Sequence, residues 1–267
     1  MLAGRIHSNP FSKRPRFATT KKHRHEACTD DDEALHRVLA WLFASELHTQ
    51  TYSTQEAGAN ARLLVLAAGT IAWCALTGLR SGEPATLLRL PPLADCLTNT
   101  RNLLPGAISR DRQGVLRMIV TRNKHGQNPF VTIHPVAESF LCAWRAWLAR
   151  YSSTEEHLFP LGTHDDTTLN RALNRASEAL ELPHYSPHGF GRAYYVKVRR
   201  SQGCDDSAIA SDLGQTTNGE LIRSTYGDPQ DLVGGAFFDW LPADCAPAWN
   251  LLNRVASPAP APALATH

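Results

Sequence analysis

The chain carries almost no net charge, a formal +2 over 267 residues at neutral pH. Bulk electrostatics therefore does not announce a nucleic-acid partner. Six cysteines are present, Cys28, Cys74, Cys96, Cys142, Cys204 and Cys245, without one CxxC pair. That pattern fits free thiols in a reducing compartment and argues against a structural zinc site. Cys74 and Cys142 lie in apolar runs and are expected to be buried. His23, His25 and Cys28 lack a partner cluster, so no metal is expected. The opening MLAGRIHSNPF has no apolar h-region, hence no secretory signal, and a cytoplasmic location is expected. There is no GxxxxGK[ST] loop and no HExxH. Gly189 and Gly191 make half a dinucleotide fingerprint, with no suitable strand before them. No ATP, NAD or other small-molecule cofactor is expected. No internal repeat is visible.

What is present points to a folded globular domain, at 43% hydrophobic and 19% charged residues. Residues 63–79, LLVLAAGTIAWCALTGL, carry no charge. Their length reaches the lower limit of a membrane span, roughly 17–25 residues. The run is single and holds Gly69, Thr70, Thr77 and Gly78, so it reads as a central core helix with no membrane partner. Charge is uneven along the chain. Lys13, Arg14, Arg16, Lys21, Lys22 and Arg24 crowd the start, Lys197, Arg199 and Arg200 cluster later, and Asp228, Asp231, Asp239 and Asp244 make the end acidic. Such runs usually mark solvated faces.

The organisation follows from periodicity. Residues 1–28 are polar, basic and proline-containing, and read as a disordered arm. Asp30 with Glu33 resembles a capping box ahead of Leu35, Val38, Leu39 and Leu42 at helical spacing. A polar gap, HTQTYSTQEAGAN, precedes the buried helix at 61–77. Residues 114–121 and 129–133 read as two strands around the polar turn RNKHGQN. Phe140, Leu141, Trp144, Trp147 and Leu148 repeat with helical period, as do Leu169, Ala172, Leu173, Ala176 and Leu180. Helices are predicted over 192–202, stopped by Gly203, over 205–213, stopped by Gly214, and from 218 to Tyr226. Residues 256–267 form a Pro/Ala tail, read as disordered. Helices, a small antiparallel sheet and helices again define an α+β, mostly helical domain.

The residues with chemical potential are a set of cations and one tyrosine. Arg80 lies in TGLRSGE, Arg122 and Lys124 in the hairpin turn, His188 and Arg192 in PHGFGRAYY, and Tyr226 at the end of LIRSTY. Singly each has a plain explanation. Arg80 could pair with Glu83, His188 could be a satisfied loop histidine, Lys124 a solvated turn residue, and Tyr226 a helix-end aromatic packed on the core.

Together they resemble the tyrosine recombinase, or phage integrase, family. TGLRSGE is similar to its TGLR-x-x-E motif, and TRNK followed by PFVTIHP to its lysine-bearing β-hairpin. PHGFGRAYYVKVRRSQG is similar to its His-x-x-Arg motif, and SDLGQTTNGELIRSTYG to the segment before its nucleophilic tyrosine. The order holds over residues 30–227. The resemblance implies a catalytic domain at 29–227 and a C-terminal cap or subunit-docking segment at 228–255. It implies double-stranded DNA as partner, a homo-multimer on DNA, and DNA recombination or integration of a mobile element. Arg80 and Arg192 would clamp the phosphate oxygens, since arginine stays charged and forks onto two oxygens. Tyr226 would attack phosphorus to give a 3′-phosphotyrosine, with His188 handling its proton and the hairpin lysine protonating the leaving 5′-oxygen. Glu83, Arg122 and Gln215 would support them. The covalent link conserves bond energy, so neither ATP nor a metal is needed.

Three positions depart from the family pattern. His188 and Arg192 are one residue further apart than usual: a regular helix would put Gly191 at the arginine site, a bulge would keep Arg192 there. Gln215 stands where a second histidine is usual. Alignment puts Arg122 at the usual lysine, with Lys124 two residues on; Lys124 is preferred, because arginine is a poor general acid. The family's DNA-clamping domain has no counterpart in the roughly 30 residues before the first helix, so a basic arm replaces it or the chain is truncated. The alternative is therefore a catalytically impaired DNA-binding or accessory protein on the same fold. A third reading is a helical protein-interaction domain displaying Trp144, Trp147 and the segment AFFDWLP.

Overall fold

A helix with no charged residue from Leu63 to Leu79 meets its solvation requirement only by burial on most of its sides. In the computed structural model α2 (Gln55–Thr77) occupies that position. The structure describes residues 33–49, 55–87, 106–111, 113–121, 130–151, 156–161, 166–215, 218–226 and 248–254. Within these, α1 (Glu33–Thr49) lies along α2, which also meets α3 (Pro135–Tyr151), α4 (Asp166–Ala179) and α5 (Tyr194–Ser201). Two short helices follow, α6 (Asp206–Asp212) and α7 (Glu220–Tyr226). A 3₁₀ turn at Ala248–Asn250 and α8 (Leu251–Arg254) rest on α1 and α3 of the same chain, with Ala248 and Leu252 buried. The stretch Ala59–Thr77 has the length and apolarity of a membrane span, yet it is mostly buried at the centre of this packing.

The sheet has three antiparallel strands in the order β1 (Ile108–Arg110), β2 (Leu116–Ile119), β3 (Phe130–Ile133). Leu116 faces Ile133 and Met118 faces Val131. Alternation places these four apolar side chains on one face, which joins the main core. The fold is thus mostly helical α+β with a small antiparallel sheet, as the sequence predicted. Strand β1 was not expected from the sequence, and α2 starts six residues earlier than expected, inside the polar gap. Gln, Glu and Ala form helix readily once a buried stretch anchors them.

The centre of the core is aromatic. Trp144 stacks on Phe159 at 5.5 Å and on Trp147 at 4.8 Å, and Trp73 stacks on Phe159 at 5.6 Å. The Trp144 indole N–H donates to the Leu158 carbonyl at 2.7 Å. Trp144 and Trp147 are fully buried, which overturns their reading as a contact surface; AFFDWLP lies outside the described residues. Cys74 is buried as expected, but Cys142 is exposed. It follows Leu141 on α3, about 100° further round the helix, on the face away from the tryptophans.

A second, smaller cluster comprises Tyr195, Val196, Ile209, Ala210, Leu213 and Ile222, with Tyr226 at its edge. It joins α5, α6 and α7. Arg200, expected on a solvated face, is buried in an ion pair with Asp206.

Candidate active site

The site forms where the end of α7 meets the start of the helix that continues as α5. Ser186 opens that helix: its hydroxyl accepts the Gly189 N–H at 3.0 Å, and Pro187 follows, pre-set for a first helical position. His188 comes next. Residues Gly189–Ala193 then form one π turn before α5 continues as regular helix. A π turn accommodates one extra residue without breaking the helix. It is the local answer to the long His188–Arg192 interval, and Arg192 turns inward from it. Gly191 faces α2 there: a Cβ on it would stand 2.9 Å from the Cys74 Cβ, so only glycine lets the widened turn pack so closely.

Arg192 is buried at 3% exposure. Its Nε donates to the Gly78 carbonyl at 2.5 Å, and Nη2 to Glu83 Oε2 at 3.2 Å. The same carboxylate oxygen accepts the main-chain N–H of Arg80 at 2.8 Å. Glu83 therefore pairs with Arg192 and the Arg80 backbone, whereas the sequence allowed a pair with the Arg80 guanidinium. That guanidinium is exposed and has no ion pair among the described residues.

The Tyr226 hydroxyl lies 3.0 Å from His188 Nε2, and the two rings stack at 5.9 Å with 8° between their planes. With the imidazole proton on Nδ1, Nε2 accepts the phenol's hydrogen bond. Burial pushes the phenol's pKa up to about 12, while the charges of Arg192, Arg80 and Arg200 pull it down. Burial wins, so the resting phenol is neutral and an attack through its oxygen needs a proton acceptor. An anion arriving there would meet the same guanidinium charges.

The structure thus brings together Arg80, Glu83, His188, Arg192 and Tyr226. Arg122 and Lys124 lie outside the described residues, between β2 and β3. Gln215 caps α6 through its main-chain N–H, 2.7 Å from the Ala210 carbonyl, and its amide oxygen is buried with no hydrogen-bond partner among the described residues.

Arg200 and Asp206 were missed as neighbours of the tyrosine. Arg200 Nε and Nη2 donate to the two Asp206 oxygens at 2.8 and 3.1 Å, and Nη1 reaches the Tyr226 carbonyl at 3.4 Å. Position 200 is four residues from buried Val196 and seven from buried Ala193. A charge on that stripe signals a buried partner. A further polar group gathers nearby: Arg199 donates to Asp212 at 2.9 Å, and the Tyr195 hydroxyl sits 3.4 Å from both Asp212 and His134. Among the described residues no cluster of His, Cys, Asp and Glu could hold a metal ion.

The arrangement defines a class of site in chemical terms: a half-buried phenol against an imidazole, under the charges of nearby guanidinium groups, on a mostly helical α+β scaffold. No protein-family profile matches the sequence, nor does any curated protein. Among solved structures the chain is similar to XerA recombinase, at 13% identity and a TM-score of 0.46, covering 79% of this chain and 61% of that one. It is also similar to a lambda integrase dimer bound to a COC′ core site, at 16% identity and a TM-score of 0.40, covering 74% of this chain and 61% of that one. The chain therefore spans about three-fifths of the length of each structure.

Proposed function

We propose that the protein cleaves and rejoins double-stranded DNA through a covalent 3′-phosphotyrosine on Tyr226, as a recombinase or integrase acting in a homo-multimer on DNA. The observation that carries this reading is the Tyr226 hydroxyl held 3.0 Å from His188 Nε2, with the charges of Arg192 and Arg80 acting on it. The four ordered sequence motifs support it.

The chemistry follows from the groups. A phosphodiester is a monoanion, and attack builds further negative charge on its oxygens. Arg80, exposed and without an ion pair among the described residues, meets the phosphate first. Arg192, fixed by Gly78 and Glu83, supplies a charge that needs no reorganisation during reaction. As the Tyr226 oxygen bonds to phosphorus, its proton passes to His188 Nε2. The bond from phosphorus to the 5′-oxygen breaks, and that oxygen takes a proton from the hairpin, where Lys124 is the lysine of the turn. Reversal with a new 5′-hydroxyl rejoins the strand. Loss of one preorganised donor such as Arg192 costs about 10²–10³ in rate.

The test is covalent trapping on a nicked duplex. The parent protein is expected to form an SDS-stable adduct with the DNA, and Tyr226→Phe none. Equal trapping by both proteins would sink the assignment. A second reading, DNA binding without cleavage, draws on the engagement of Arg192 Nε and Nη2 by groups of the protein itself. It predicts salt-sensitive binding and no adduct on any substrate; a slow Tyr226-dependent adduct rejects it.

A further inference from the structure

Helix α7 has seven residues and one buried side chain, Ile222. A helix that short has little stability of its own, because nucleation is costly and few bonds repay it. Yet it carries Tyr226 against His188 at hydrogen-bond distance. Something outside the helix must hold both its ends.

The Arg200–Asp206 pair touches both. At the start of α7, Gly219 has φ +80 and lies directly on Asp206: a Cβ there would come 2.6 Å from the Asp206 carbonyl carbon and 2.7 Å from its Cβ. At the other end, Arg200 Nη1 reaches the main-chain carbonyl of Tyr226 at 3.4 Å. Between these contacts the guanidinium forks onto both Asp206 oxygens, with the two side chains 4% and 5% exposed. Arg200 is anchored in α5, which continues from the π turn that delivers Arg192.

The geometry points to the Arg200–Asp206 pair as a positioning device that braces α7 at its first turn and its last residue, and so sets where the Tyr226 ring sits against His188. The role rests on Tyr226 being the nucleophile of the proposed reaction. The pair itself touches no substrate. Buried ion pairs of this kind often add little net stability over apolar side chains, so a positional role separates from a stabilising one.

That separation makes the test. The double variant Arg200→Leu/Asp206→Leu replaces the buried pair with apolar groups and is expected to fold. Both proteins are labelled with 3-fluorotyrosine, and the ¹⁹F resonance of Tyr226 is assigned by its loss in Tyr226→Phe. In the double variant that resonance is expected to move toward the free fluorotyrosine value. Its titration midpoint should fall, because burial is the largest cause of the raised pKa and outweighs the charges of Arg192, Arg80 and Arg200. Adduct formation should drop by about 10²-fold at unchanged DNA affinity, the usual scale for a misplaced reacting group. An unmoved resonance in a folded variant overturns the proposal, and so does a midpoint that rises, which would mean Arg200 acts only as a charge. If the double variant does not fold, Arg200→Lys decides on the same readouts, since it keeps the charge but cannot fork. Absence of adduct in the parent would refute the proposed reaction and leave the ¹⁹F result to judge the brace.

Discussion

Two packed regions of this protein are held by different means. Around α2, three tryptophans and four phenylalanines interlock with the aliphatic side chains of α1, α3, α4 and the sheet. The smaller cluster that joins α5, α6 and α7 has six buried hydrophobic residues, supplemented by the Arg200–Asp206 pair and a tight glycine contact. Area removed from water secures the first, whereas the second depends on directional contacts. The tyrosine sits on the second. An element with few apolar contacts opens at lower free energy than the core it rests on. The difference teaches that a reactive side chain can be placed accurately on a weakly buried element, provided fixed-geometry contacts hold both its ends.

The comparison breaks most sharply at its strong side. Trp144→Ala should cost about 3–5 kcal/mol, the scale for truncating a buried aromatic. Denaturant midpoints and amide exchange should show both regions failing together, because the small cluster has no independent support. Survival of α5–α7 protection in an unfolded α2 would show that they fold alone.

A smaller effect is expected at Gly219. Alanine there faces both the positive φ and the Asp206 backbone, so Gly219→Ala should cost about 1–3 kcal/mol of local strain. The loss should appear as faster exchange of α7 amides with α2 amides unchanged. Equal acceleration in α2 would mean that the two regions are one cooperative unit.

The smallest effect lies at the seam. His134 follows β3 and reaches Tyr195 on α5 and Asp212 on α6. Burial lowers its pKa, Arg199 lowers it further, and Asp212 opposes them. As pH falls below about 6.5 the unfolded chain binds that proton before the folded one. Stability should therefore decline as pH drops from there toward the folded pKa, with a slope of at most about 1.4 kcal/mol per pH unit. His134→Gln should flatten that slope in denaturant melts taken between pH 7 and 5. An unchanged slope would remove His134 from the seam.

The sequence made much of the first region legible. The 3.6 spacing of Phe140, Leu141, Trp144, Trp147 and Leu148 and the uncharged run through Trp73 correspond to buried faces, and β2 and β3 were foreseen within two residues at each end. Strand β1 was not, because Ile108, Ser109 and Arg110 carry no alternation; they form a strand by pairing with β2. Arg80, His188, Arg192 and Tyr226 were singled out by resemblance, and the structure gathers them. Whether Gly191 or Arg192 turned inward could not be read, since residue counts do not show the hydrogen-bond ring size of a helical turn. The Arg200–Asp206 brace stayed hidden for a related reason. Its partners flank the Gly203 turn, and linear order does not reveal that their side chains face each other.

The π turn at Gly189–Ala193 uncouples chain length from side-chain direction. Deleting Gly191 would shorten the chain by one residue and let the turn close to regular helix, so α5 would keep its phase and the brace its place against α7. The damaging change is the opposite one: keeping the residue while losing the turn would rotate α5 by about 100° relative to His188. Lys197, Arg199 and Arg200 would then point to new neighbours, although no charge had been lost.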